Sequence, residues 1–98
     1  MRTLFTVTRT RGRSWDATQP MRSQKQWTEH AAFMDQLAAD AFVIPGGPIG
    51  DSGDVLLIID APNEDEIRDT LSRDPWSQQG LLNIRQIQRW TVLLESKR

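Results

Sequence analysis

The run Val55-Leu56-Leu57-Ile58-Ile59, and the stretch Asn63-Glu64-Asp65-Glu66-Ile67-Arg68-Asp69-Thr70-Leu71-Ser72-Arg73-Asp74-Pro75-Trp76 that follows it, decide how the rest of the chain is read. The first is apolar at five successive positions, which describes a short strand with both faces covered. In the second, Asn63 with Glu66 three residues on is an asparagine variant of the capping box, and Glu64, Asp65 and Glu66 suit the positive end of a helix dipole. Pro75 disfavours the α conformation at Asp74, so the spacing predicts a helix from about Asn63 to Arg73. Ile67, Leu71 and Asp74 fall at i, i+4 and i+7, which brings the carboxylate out on the side of two residues that must pack inward. A carboxylate facing a core needs a partner. The plainer alternative is a helix-stop turn in which Asp74 bonds locally to the backbone.

Upstream, Phe42-Val43-Ile44 is a short β run that the breaker cluster Pro45-Gly46-Gly47-Pro48 is expected to stop. The glycines either form an ordinary loop or let backbone amides approach a ligand oxygen; the lysine and hydroxyl residue of a phosphate loop are absent. From Gln24 to Asp40 the pattern is helical, with Trp27, Ala31, Met34, Ala38 and Ala41 on one stripe flanked by Phe33 and Leu37. His30, the only histidine, falls between Met34 and Leu37, where its nitrogens need hydrogen-bond partners. A lone helical histidine is either a satisfied core group or a catalytic one, and the pattern alone leaves both open.

Thr3 to Arg9 alternates, with Phe5 and Val7 on one face and Leu4, Thr6 and Thr8 on the other, and reads as the first strand. Thr10 to Pro20 has no sustained period and is expected to be an exposed loop. Arg9, Arg11 and Arg13 carry guanidinium groups suited to an anionic substrate, although a solvated basic loop is the simpler account of them. After Trp76, Ser77 to Leu82 reads as loop with a short extended piece, Ile84 to Leu94 as a long last strand, and the charged end from Glu95 is expected to fray.

The 98 residues are 38% apolar and 26% charged, which fits one small domain over residues 1–98. A net charge of −1 supplies no general field for nucleic acid or anionic membrane. There is no cysteine, so disulfides, thiolate nucleophiles and thiolate metal sites are excluded. No metal and no cofactor is expected. No apolar run approaches the roughly 20 residues of a membrane span, and a soluble, cytoplasmic protein is the expectation.

The order of elements is β, α, β, β, α, β, an α+β ferredoxin-like plan in which an antiparallel four-stranded sheet carries its helices on one face. Helices cover only one side of so small a sheet. The continuous apolar strand therefore needs something on the other, and a second copy of the sheet is the economical answer.

Glu29-His30 on the first helix, Gly47-Pro48-Ile49 after the second strand, Asp74-Pro75-Trp76, and Trp90 in the last strand occur together in this order. In these features, across most of its length, the chain resembles the YCII-related proteins of the dimeric α+β barrel superfamily. The resemblance implies a homodimer packed sheet to sheet, with His30 and Asp74 as an active-site pair beside a cleft. It also implies kinship with barrels that include small lyases, isomerases and cofactor-independent oxygenases acting on oxygenated aromatic compounds. The segment from Thr10 to Pro20 departs from the family pattern in length and basic character.

The expected function is proton transfer on an oxygenated aromatic or lactone-type small molecule. His30 would be the general acid/base and Asp74 its orienter, or the reverse, with Trp76 as an apolar wall and Gly47, Pro48 and Arg9 as further substrate-binding residues. Ser72 beside Asp74 has no evident oxyanion hole and suggests no triad. The competing class is a non-catalytic small-ligand-binding or regulatory module in which His30 and Asp74 satisfy each other. Single-stranded nucleic acid is the third class, disfavoured because the first strand lacks an exposed aromatic pair and the sheet face is needed for the dimer.

Overall fold

The computed structural model of the protein describes residues 2–97. These run β1 (Arg2–Arg11), a 3-10 turn (Met21–Ser23), α1 (Trp27–Ala39), β2 (Val43–Pro48), β3 (Val55–Ile59), α2 (Glu64–Leu71), α3 (Pro75–Gln78) and β4 (Leu82–Val92). The described strands form one four-stranded antiparallel sheet in the order β2-β3-β1-β4. This is the α+β, βαββαβ plan expected from the sequence, with α3 added before the last strand.

The period of two along β1 sets the core. Phe5 lies opposite Ile59 and Val7 opposite Leu57, so these four side chains share one face of the sheet. Leu37 of α1 and Ile67 and Leu71 of α2 pack with them, together with Val43. Asn63 caps α2 by accepting a 2.8 Å bond from the Glu66 N–H, as the capping-box spacing predicts. Alternation puts Leu4, Thr6, Thr8, Leu56, Ile58 and Trp90 on the opposite face, where Leu56 and Ile58 are half-buried and Trp90 is exposed.

Several local expectations are corrected. β2 continues through Pro45-Gly46-Gly47-Pro48 rather than stopping there. It is an edge strand, where a proline need not break a ladder, and its register slips between Val43 and Gly46. A Cβ on Gly46 would sit 2.5 Å from the Leu57 side chain, so glycine lets the strand pass over the core. α1 starts at Trp27, not Gln24, after Gln26 takes a left-handed φ of 57°. Its inner face centres on His30 and Leu37, while Ala38 and, beyond the helix end, Ala41 are exposed. α2 ends at Leu71, and Asp74 caps the short helix α3, with Pro75 at its first position, in a stretch that includes residues assigned to loop. β4 spans Leu82–Val92, leaving Leu93 and Leu94 exposed.

β1 runs two residues past its expected end, taking in Thr10 and Arg11, and the rest of the segment to Pro20 is the largely exposed loop expected, but one tied to the fold. The Gly12 and Ser14 N–H groups donate to the Leu81 and Gly80 carbonyls at 2.8 and 3.1 Å. The Gln24 side chain, nearly fully buried, donates to the Asp16 and Gln19 carbonyls and accepts from the Asp16 N–H. Gln24 thus ties the loop to the start of α1. No helix among the described residues is long and apolar enough to cross a membrane.

A Cβ on Gly12 would run into the Gly80 carbonyl and come 2.9 Å from Asn83 Nδ2, whereas Gly47 has nothing within 4 Å. Backbone cannot step aside cheaply, so Gly12→Ala is expected to cost about 1–3 kcal/mol. Urea denaturation should show a lowered midpoint for Gly12→Ala and almost none for Gly47→Ala.

Candidate active site

The same alternation that turns Phe5 and Val7 inward turns Arg9 inward, and its side chain is only 1% exposed. Buried guanidinium needs an anion. Asp74, fully buried at the start of α3, supplies it: Arg9 Nη1 donates to Asp74 Oδ2 at 2.9 Å, and Nη2 donates to Ser77 Oγ at 2.6 Å. His30 reaches the same carboxylate from α1, with Nδ1 2.9 Å from both oxygens. The Trp76 N–H completes the set by donating to Asp74 Oδ1 at 3.0 Å, the cap of α3.

Burial alone would push the Asp74 carboxyl up. The bond from His30, the Trp76 N–H and the charge of Arg9 outweigh it and hold the group below the usual carboxylate range. For Arg9, burial lowers the guanidinium against the raising effect of Asp74, and it stays charged because an arginine starts so high. An ionised carboxylate only accepts hydrogen bonds, so its contact with His30 requires the proton on Nδ1. Nε2 has no protein partner among the described residues, nor is it sealed from solvent. The Nε of Arg9 is different: it is buried and without a hydrogen-bond partner among the described residues.

Trp76 is the hub of the aromatic packing. Its indole stacks on the His30 imidazole at 3.8 Å between centroids and 6° between planes, and its Nε1 donates to the Lys25 carbonyl at 2.7 Å. Trp15 meets it edge to face at 5.4 Å, and Trp27 lies 5.7 Å away. The histidine is therefore fixed by a carboxylate on one edge and an indole on one face.

A cavity of about 340 Å³ opens in front of this cluster, within the usual range of small-molecule sites. Arg9, His30, Trp76, Gly47 and Pro48, all singled out from the sequence, lie on its wall. Asp74 is not among the wall residues and sits behind His30 and Arg9. Of the other basic residues singled out, Arg11 lines the cavity and Arg13 does not. Sequence reasoning missed Ser77, Trp15, Trp27 and Gln24. It also grouped Arg9 with the loop arginines, although its step with Phe5 and Val7 was a usable signal for an inward side chain. Among the described residues, no group of three or more His, Cys, Asp or Glu is placed to hold a metal ion.

Residues 1–91 match the model of the YCII-related domain. The chain belongs to the YCII-related family. Among solved structures, it is similar to the 5-chloro-2-hydroxyhydroquinone dehydrochlorinase TftG from Burkholderia phenoliruptrix AC1100, in complex with 2,5-dihydroxybenzoquinone. That likeness has 23% identity, a TM-score of 0.55, and covers 92% of this chain and 93% of TftG. A structural-genomics protein, YjcS, is similar at 11% identity and a TM-score of 0.56, over 93% of this chain and 98% of YjcS. Both are likenesses of fold. No curated protein matches the sequence.

Because Asp74 is held below its unfolded value near 4, its ionisation stabilises the fold above that pH, and the contribution is lost as pH falls through the folded value. Asp74→Asn removes that acid-side dependence. It also leaves Arg9 buried without its anion, a loss of about 3–5 kcal/mol at neutral pH. Urea midpoints for both proteins at pH 7 and near pH 3 should show a large gap that narrows in acid.

Proposed function

We propose that the protein is a small-molecule enzyme of lyase or isomerase type, with His30 as its general acid/base and an oxygenated aromatic or lactone as its substrate class. The observation that carries this reading is the split use of the imidazole: Nδ1 is committed to Asp74, while Nε2 has no partner among the described residues and the ring lies on a cavity wall. Nε2 would take a proton from a carbon or hydroxyl beside a carbonyl. The imidazolium so formed is stabilised by the Asp74 carboxylate and by the face of Trp76. The proton then returns to a different atom of the same skeleton in an isomerisation, or leaves with the departing group in an elimination.

Asp74 positions His30 in this scheme and does not itself meet the substrate, because it is fully buried behind the cavity wall. Trp76, Gly47, Pro48 and Arg9 are the proposed substrate-facing residues. Apolar and aromatic walls suit a planar ring, and the named activity of TftG on a chlorinated hydroxyhydroquinone supports an oxygenated ring as the substrate class. A dimer packed through the sheet face bearing Leu56, Ile58 and Trp90 belongs to the same proposal. The second reading, a non-catalytic ligand-binding or regulatory module, is favoured by how fully Asp74 is satisfied within the fold.

His30→Asn is expected to leave the melting temperature within a few degrees of wild type while lowering kcat at least about a hundredfold. The screen is a panel of lactones, catechols and halogenated hydroquinones. Unchanged turnover in the variant removes the mechanism, and binding without turnover in the wild type selects the module. For the dimer, light scattering of Ile58→Lys should report a monomer where the wild type reports twice that mass; a monomeric wild type would sink the sheet-to-sheet arrangement.

A further inference from the structure

Arg11 is the residue that the fold holds at the cavity without giving it an anion. Arg2, Arg68, Arg73 and Arg85 each meet a carboxylate at 2.8–3.2 Å, and Arg9 meets Asp74. No carboxylate comes within ion-pair range of Arg11 among the described residues, and of the arginines without one it alone lines the cavity. The residue is exposed, and two close neighbours border its side chain. The guanidinium carbon lies 4.5 Å from the centroid of Trp15, and a Cβ at Gly53 would fall 2.6 Å from its Nε and 2.7 Å from its Cζ. Arg11 therefore runs between an indole face and a backbone position at φ +86° that has no room for a side chain.

A guanidinium held against a ring through its carbon keeps N–H groups to donate elsewhere. Those donors suit the two oxygens of a carboxylate. The rings from Trp15 through Trp76 to His30 are in continuous contact, so the unpaired cation and the free imidazole nitrogen belong to one aromatic-walled site. The other charged wall residue besides Arg9 is Asp35, an exposed side chain of α1 that forms no ion pair with Arg11.

We infer that the cavity takes an aromatic acid, with the substrate carboxylate held by Arg11 and the ring lying among the tryptophans in front of His30. This inference rests on the small-molecule reading above and narrows its substrate class from oxygenated rings in general to those that carry an anionic group. Arg11 is then the residue that sets specificity, while His30 carries the proton.

The test compares 2,5-dihydroxybenzoate with hydroquinone, probes that share a ring and differ in the carboxylate, by isothermal titration calorimetry on the whole chain. Wild type should bind the acid about tenfold or more tightly than hydroquinone, as a charge-assisted bond predicts. Arg11→Gln should abolish that preference, with hydroquinone affinity unchanged. Arg11→Lys should restore part of it, and Arg13→Gln, off the cavity wall, should keep it whole. A preference that survives Arg11→Gln, an equal loss in Arg11→Gln and Arg13→Gln, or no preference in wild type overturns the inference while leaving proton transfer by His30 standing. Failure of the wild type to bind either probe overturns it together with the oxygenated-ring reading. If His30→Asn retains both binding and turnover, the acid-base mechanism falls and the Arg11 site stands.

Discussion

One buried carboxylate ties together the elements that the chain order alone would leave loosely related. Asp74 caps α3, accepts from Arg9 on β1 and holds His30 on α1, so strand, long helix and short helix meet at two oxygen atoms. Burying charges costs solvation that even a close ion pair repays incompletely, and a well-packed apolar group is often as stabilising. What the arrangement supplies is direction. With Asp74 ionised and Arg9 balancing it, the imidazole has a single compatible tautomer and a single orientation.

The aromatic cluster adds a second constraint. Trp76 fixes the plane of His30 by stacking, and its own rotation is fixed by the bond from Nε1 to Lys25. Trp15 reaches this cluster because the loop after β1 is pinned twice, by backbone bonds to residues 80 and 81 and by the buried Gln24 side chain. A basic, glycine-containing segment thus becomes a cavity wall. Its order comes from contacts distant in sequence, which local composition does not report.

That distinction explains what the sequence made legible. The alternation of β1, the apolar run of β3 and the Asn63 cap are local signals, and each produced the predicted element. The inward placement of His30 and Asp74 followed from helical spacing, and the structure brings the two side chains into contact. Pro45-Gly46-Gly47-Pro48 misled because breaker residues are read differently at a sheet edge, and only the strand order shows that β2 is one. Asp74 was correctly turned inward, but its role as the cap of a new helix was hidden behind Pro75, which serves equally well as a stop and as a first helical residue. Ser77 left no signal at all, because its partner Arg9 lies 68 positions away.

The stacking of Trp76 on His30 has an optical consequence. An imidazolium quenches the fluorescence of an indole in contact with it far more than a neutral imidazole does, and these two rings are nearly parallel at 3.8 Å. His30 is the only histidine, so emission from Trp76 reports the charge of one ring, while Trp90 on the far side of the sheet is the most distant in environment of the remaining emitters. The molecule carries its own light-emitting gauge of when a proton arrives at that ring and when it leaves.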